Sequence, residues 1–408
     1  MLNSVQDAWK LIEAEVVSGE ARPTPLAEAI GRTLAEPVYA TGDSPPFDKA
    51  LMDGFAIRSA DSLSGVREFE VVETTTAGQV STRDVTFGTA IRIMTGAQLP
   101  GGSDCVVPVE KTSCPAEGRV LIEAPGLKAE WNLARRGQAI RAGDLVMPAG
   151  VTLGPAQVGA LAEMGLAVVP AIPQPTVSIV ATGDELVPYH ASPGPGQIRN
   201  SNEVMLVAQA QQAGARVDFS TIACDERGEL TRAIRKGLES DFLVLSGGVS
   251  AGVLDLVPSV LRDCGCEEVF HGCNIKPGKP IWFGRLPAER AADGRPRWIF
   301  GLPGNPVSSM VCFELFVRTG IRKRRGISPA EPQMHAARLA ARHASKDSRP
   351  TYFPAVVSHE GQGLVVRPLN WQGSFDLQTV ALANGFVLLE SAGERLAGEQ
   401  VQVLRLDN

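Results

Sequence analysis

IPQPTVSIVATGDEL, residues 172–186, decides the fold. Two prolines mark a linker, and the run VSIVA behind it is apolar at successive positions, as in a strand covered on both faces. Such a strand needs helices on each side of its sheet. From about residue 174 to 325, further runs of this kind alternate with helical patterns. VSIVATG is followed by NEVMLVAQAQQAG, then VDFSTIAC, ELTRAIRKGLES, DFLVLSGG, DLVPSVLRDCG and WIFGLPG with its own helix. This order predicts a doubly wound α/β domain with a parallel sheet and crossover helices.

Outward from that domain the texture changes. At the N-terminus Val5, Ala8, Trp9, Ile12 and Val16 recur at helical spacing behind Ser4 and Asp7, which are placed like a capping box. A second helix is expected from Thr24 and Pro25, with Ala27, Ile30 and Leu34 on one face. Between 41 and 140 short runs such as FEVVETTTAG, AIRIMTGA, DCVVPVE and RVLIEA read as strands, and GPAQVGALAEMG then returns to a helix. Beyond 326 the runs TYFPAVV, GLVVRPL, GFVLLES and EQVQVLRL are again short strands. The expected division is a discontinuous helical lobe at 1–40 and 141–173, an inserted β-rich lobe at 41–140, the α/β domain at 174–325 and a β domain at 326–408.

A chain of 408 residues is too long for one core, and 44% apolar with 21% charged residues is the composition of a folded protein. The net charge of −6 lacks the basic surplus that nucleic acid demands. The one dense basic run, IRKRRG (321–326), reads as a solvated helix end. No apolar run is long enough to span a bilayer. Asp7, Glu13 and Glu15 interrupt any signal-peptide layout, so a cytoplasmic location is expected. The seven cysteines form no CxxC pair and read as reduced thiols.

In an open α/β sheet ligands bind beyond the carboxyl ends of the strands. VSIVA is followed by Thr182, Gly183, Asp184 and Glu185, and STIAC by Asp225 and Glu226. FLVLS leads to Gly247, Gly248 and Ser250, and WIF to GLPGNPVSSM (301–310), with Gly304, Asn305 and Pro306. Glycine-rich turns leave backbone N–H groups free to cradle a phosphate, and a helix start favours an anion. Glu185, Asp225 and Asp255 could hold Mg²⁺ beside phosphate oxygens, and Lys276 and Lys279 in NIKPGKP offer two cations. Each element also has an ordinary structural use: a tight turn, a helix cap, a solvated lysine. HExxH and GxxxxGK[ST] are missing from the sequence, which leaves positioning and electrostatics as the expected means of catalysis.

TGDEL (182–186), SGGVSAG (246–252), IKPGKP (275–280) and GLPGNPVS (301–308) together resemble the molybdenum-insertase family, MoeA in bacteria and the gephyrin E domain in animals. MDGFAIR (52–58), RIMTGAQLP (92–100), DCVVPVE (104–110) and WQGSFDL (371–377) extend the resemblance over essentially the whole chain. It implies a helical lobe, an inserted β lobe, a molybdopterin-binding α/β domain and a C-terminal β barrel, assembled as a homodimer. It also implies a transferase that inserts molybdate into adenylylated molybdopterin with release of AMP and with Mg²⁺ as cofactor. The molybdopterin adenylyltransferase and molybdoenzyme chaperones are the further partners implied. By matching motif, Asp53 and Thr95 would approach the partner's site, Glu185, Asp225 and Asp255 would serve the metal and nucleotide, and Lys276, Lys279, Ser308, Arg349 and Ser374 would surround the oxyanion. Val253 and Ala139 stand where members often have carboxylates. An adenylyltransferase-like nucleotide-processing enzyme and a non-catalytic cofactor scaffold are the alternatives; MDGFAIR and WQGSFDL, outside the α/β domain, count against the first.

Overall fold

The computed structural model describes residues 2–124, 127–248, 256–361 and 363–406. The chain forms two compact units, one of Met1–Ala35, Gly150–Gly154 and Val169–Asn408, the other of Glu36–Ala149 and Pro155–Val168.

The first unit is organised by a six-stranded sheet: β1 (Thr176–Thr182), β2 (Arg216–Ala223), β3 (Phe242–Ser246), β4 (Glu267–His271), β5 (Trp282–Leu286) and β6 (Arg297–Leu302), in the order β2-β1-β3-β6-β5-β4. The continuous apolar runs arise because both faces are covered. Phe242, Val244, Trp298 and Phe300 pack with Val5, Ala8 and Ile12 of the N-terminal helix Val5–Glu15 and with the helical run from Pro306. Leu243, Leu245 and Ile299, one residue out of phase, pack with Leu230, Ile234, Val260 and Leu261 of the crossover helices. Ser4 caps the N-terminal helix by accepting the Asp7 amide (3.1 Å) and donating to its carboxylate (2.7 Å).

The sheet is mixed rather than parallel. β1, β2, β3 and β6 pair in parallel, but β5 is antiparallel to both β6 and β4. The ten residues 272–281 that join β4 to β5 are too few for a helical crossover, which needs a dozen or more, so the chain reverses. β4 therefore ends on the same edge as β1, β2, β3 and β6, and the loop 272–281 emerges there.

The expected second helix is absent. Arg22–Pro25 is a strand, Leu26–Glu28 a single 3₁₀ turn, and Thr33–Leu34 a strand again. Pro23 and Pro25 lack N–H groups, and Arg22–Pro25 lies at the edge of a three-stranded sheet, where proline costs little. The basic run is not a solvated helix end either. It closes the helix Arg318–Arg324, and Arg325, only 9% exposed, donates to the carbonyls of Ala213 (2.9 Å) and Gly31 (3.0 Å). Ala213 ends the helix Asn202–Gln212, so this guanidinium serves an orphan helix carbonyl.

Residues 334–405 form a closed five-stranded barrel, Met334–Leu339, Gly363–Pro368, Thr351–Glu360, Gly385–Leu389 and Gln400–Arg405, filled by alternate residues such as Ala337, Val357, Val387 and Val403. In the second unit a six-stranded sheet carries Gly54–Ile57 between Cys105–Pro108 and Thr89–Ile93. A Cβ on Gly54 would stand 2.0 Å from the Val107 carbonyl oxygen, which is why MDGFAIR has glycine there. All seven cysteines are free thiols, and no helix among the described residues is long and apolar enough to cross a membrane.

Candidate functional site

The strand order turns back between β1 and β3, and a cavity of ≈ 570 Å³ opens at this switch point. Thr182 and Gly183 from β1, Gly247 and Gly248 from β3, and Gly304, Asn305 and Pro306 from β6 line it. Glu185 and Asp225 complete the predicted set at this cavity. Ser250 and Asp255, and with them Val253, lie outside the described residues.

The glycines make room for this convergence. Gly247 has φ +99°, and a Cβ there would stand 2.6 Å from the Thr182 carbonyl oxygen and 2.9 Å from its hydroxyl. A side chain would thus fill the gap between β1 and β3. Gly304 opposes Gly247 at 3.7 Å from the same construction. Asn305 has the extended backbone of an N-cap, but its side chain makes no capping bond; Pro306 occupies the first turn, where no N–H is required.

The carboxylates are arranged by the loops after β1 and β2. Asp184 accepts the Asp225 amide (2.9 Å) and ties the two loops together. Leu186–Val187 then forms a ladder with Ile198–Arg199, so Asp184 and Glu185 do not cap a helix. Glu185 folds its carboxylate back over Gly183, 2.5 Å from where a Cβ would be. Among the described residues no three His, Cys, Asp or Glu side chains are grouped to hold a metal. The pair Glu185 and Asp225 still offers hard oxygen ligands at the cavity, which suits Mg²⁺, commonly held by one or two carboxylates together with phosphate oxygens and water.

Two polar residues at the cavity have incomplete hydrogen bonding. Asn202, missed by sequence reasoning, donates from Nδ2 to Ser246 Oγ (2.8 Å) and the Gly304 carbonyl (2.7 Å). The carbonyl can only accept, so the amide orientation is fixed, and Asn202 Oδ1 is left buried without a partner among the described residues. The Thr182 hydroxyl, in a residue 5% exposed, is likewise unpartnered there. A buried acceptor costs free energy unless a ligand donor satisfies it. Asn202 reads in sequence as the start of a helix; only its contact with Gly304, 102 residues away, reveals it. Ser246, Asn200, Arg199 and Phe375 also line the cavity without having been singled out as site residues.

The cationic residues gather further along the same edge. Lys276 lies in the loop between β4 and β5, its amide donating to Pro350 (2.8 Å) and its carbonyl accepting from Tyr352 (2.8 Å). Arg349 reaches the Ile275 carbonyl (3.4 Å), and both cations converge on Asp347, at 3.2 Å from Lys276 Nζ and 2.9 Å from Arg349 Nη2. The Arg349 guanidinium and amide, with Lys276, hold the Asp347 carboxyl well below the usual carboxylate range. No motif pointed to Asp347. Lys279 is exposed. Ser308 is buried in the helix Pro306–Cys312, and the Ser374 carbonyl accepts the Val307 amide (3.0 Å), which seats WQGSFDL on the start of that helix.

Asp53 and Thr95 belong to the second unit. Gly54 pairs with Ile93, so the residues flanking that register meet: Asp53 Oδ1 accepts both the Thr95 amide and its hydroxyl, each at 2.7 Å. These bonds lower the Asp53 pKa, the hydroxyl contributing most. Thr95→Val removes the hydroxyl donor and is expected to raise the Asp53 titration midpoint toward the ordinary value, measured by carboxyl NMR. An unchanged midpoint would show that this hydroxyl does not act on the acid. Ala139 lies in the same unit, in the turn after Arg136, its amide donating to the Ser44 carbonyl (2.9 Å).

Comparison with known proteins follows this architecture. Residues 3–165 match the model of the MoeA N-terminal region (domain I and II), 178–323 that of a probable molybdopterin binding domain, and 336–406 that of the MoeA C-terminal region (domain IV). A molybdopterin molybdenumtransferase of Staphylococcus epidermidis is 34% identical over 391 residues, 95% of this chain and 91% of that protein. One from Staphylococcus aureus is 33% identical over 406 residues, covering 98% and 94%. A solved structure of the molybdopterin biosynthesis MoeA protein from Pyrococcus horikoshii OT3 superposes with a TM-score of 0.79 at 26% identity, over 99% of this chain and 100% of that one.

Proposed function

This chain belongs to the MoeA family, and from that premise we propose that it is a molybdopterin molybdenumtransferase of molybdenum cofactor biosynthesis, inserting molybdate into adenylylated molybdopterin with release of AMP. The observation that carries the proposal is the juxtaposition on one sheet edge of a glycine-lined cavity with unsatisfied polar groups and a loop bearing two lysines and an arginine neighbour. The reaction needs those two kinds of subsite, one for a phosphorylated organic ligand and one for a tetrahedral oxyanion.

In this reading the turns at Gly183, Gly247 and Gly304 admit the ligand close to the backbone, and Asn202 Oδ1 and the Thr182 hydroxyl meet its polar edge. Lys276, Lys279 and Arg349, with the hydroxyls of Ser308 and Ser374, receive the oxyanion. Glu185 and Asp225 would hold Mg²⁺, which when bound would neutralise phosphate charge as AMP departs. Asp53 and Thr95 act on the site of a partner chain in a homodimer, and the protein works in the cytoplasm.

Anaerobic incubation with adenylylated molybdopterin, Mg²⁺ and molybdate tests the assignment through AMP release. The lysine's worth resembles that of a fixed charge-stabilising donor, so Lys279→Ala is expected to slow release by about a hundredfold. An undiminished rate would remove Lys279 from the oxyanion subsite, and a wild-type chain that binds the ligand yet releases no AMP would make the protein a carrier.

A further inference from the structure

The candidate oxyanion subsite already contains an anion, supplied by the chain itself. Asp347 Oδ1 accepts from the Arg349 amide and Nε (3.0 Å each), and Oδ2 accepts from Arg349 Nη2 (2.9 Å) with Lys276 Nζ at 3.2 Å. A planar guanidinium fork plus an ammonium group closing on two oxygens is the geometry with which these side chains take up a free oxyanion. The Asp347 side chain is 18% exposed, while those of Arg349 and Lys276 are 33% and 40% exposed, so the carboxylate lies inside the pair and the cations remain open to solvent.

The two attachments differ. Arg349, two residues away, holds the carboxylate by three N–H donors, whereas Lys276, 71 residues away in sequence, touches it only through Nζ. We propose that Asp347 is an internal stand-in for the oxyanion, a positioning residue that keeps Arg349 and Lys276 in receiving geometry and gives up Lys276 when a tetrahedral oxyanion enters. Asp347 then sets how tightly that anion is held: the incoming oxyanion competes with a tethered carboxylate for one ammonium group. This rests on the assignment of the oxyanion to Lys276 and Arg349 made above.

Equilibrium dialysis of molybdate against the full-length chain tests it. Asp347→Asn keeps the side-chain size but removes the competing charge, and its Kd for molybdate is expected to fall about fivefold, the scale of a part-exposed ion pair. Asp347→Glu, which retains the charge, is expected to stay near wild type. Lys276→Ala is expected to weaken binding, and adding Asp347→Asn to Lys276→Ala should bring no gain. A merely structural carboxylate predicts the opposite sign, because an untethered Arg349 would bind less well. An unchanged or raised Kd in Asp347→Asn, with Lys276→Ala still weakened, overturns the stand-in role alone. Binding that is indifferent to Lys276→Ala overturns the subsite assignment and this inference with it. Should Asp347→Asn not fold, Asp347→Gln, which likewise keeps an amide oxygen for Arg349 while removing the charge, carries the same expectation.

Discussion

Gly247→Ala is expected to lower AMP release by about a hundredfold, the penalty for displacing reacting groups by about 1 Å. The added Cβ would stand 2.6 Å from the Thr182 carbonyl oxygen, a backbone atom, and the backbone angle of +99° disfavours any side chain. β1 and β3 must part at their carboxyl ends, and these ends form two sides of the cavity. The strands themselves are buried and paired from Val177 to Ala181, so the chain should still fold, as circular dichroism can verify. A variant with wild-type turnover would show that the ligand does not approach this turn.

The largest effect on stability is expected from Glu314→Ala, about 3–5 kcal/mol, read from denaturant unfolding of the first unit's transition. Glu314 and Arg318 are 4% and 8% exposed. Arg318 donates Nε to Oε2 (2.6 Å) and Nη2 to Oε1 (3.0 Å), and Gln209 Nε2 adds a third bond to Oε1 (2.7 Å). Removing the carboxylate would strand a buried guanidinium. Replacing both partners, as Glu314→Leu with Arg318→Met, should restore most of the loss, because no uncompensated charge is left. If the single variant unfolds like wild type, the pair is solvated and its burial is illusory. The pair sits where Phe313–Val317 makes a π-helical turn. The loosened Leu315 carbonyl there accepts both Trp9 Nε1 and Thr319 Oγ1 (2.7 Å each), so the polar groups displaced from regular helix geometry are satisfied locally.

The doubly wound core was legible because VSIVA, FLVLS and WIF are strands covered on both faces, and continuous apolarity has few other meanings at that length. The strands β4 and β5 were not read at all, and neither was the direction of β5. WFGRL has the same apolar character whichever way it runs, and only the shortness of residues 272–281 argues for reversal. Arg22–Pro25 was misread because Ala27, Ile30 and Leu34 keep helical spacing while the prolines nearby deny the backbone its donors. The glycine turns of the cavity announced themselves through composition. Asn202 and Asp347 did not, since Asn202 acts through Gly304, 102 residues away, and Asp347 through Lys276, 71 residues away, and through a local fork that no spacing rule describes. Arg325 failed for a related reason: charge implied solvent, whereas neighbouring helix ends supplied enough carbonyls to bury it.

The reversal at β5 also acts as a ruler. Because β4 returns to the common edge, the lysine loop stands one strand from the Gly304 turn after β6 and three strands from the Thr182–Gly183 turn after β1. At about 4.8 Å per strand, three spacings amount to about 14 Å. A lone tetrahedral anion is far shorter than that span and can occupy only one end. A compound that engages both the β1 turn and the lysine loop must therefore span three strands of the sheet, whereas the Gly304 turn lies within one strand of that loop.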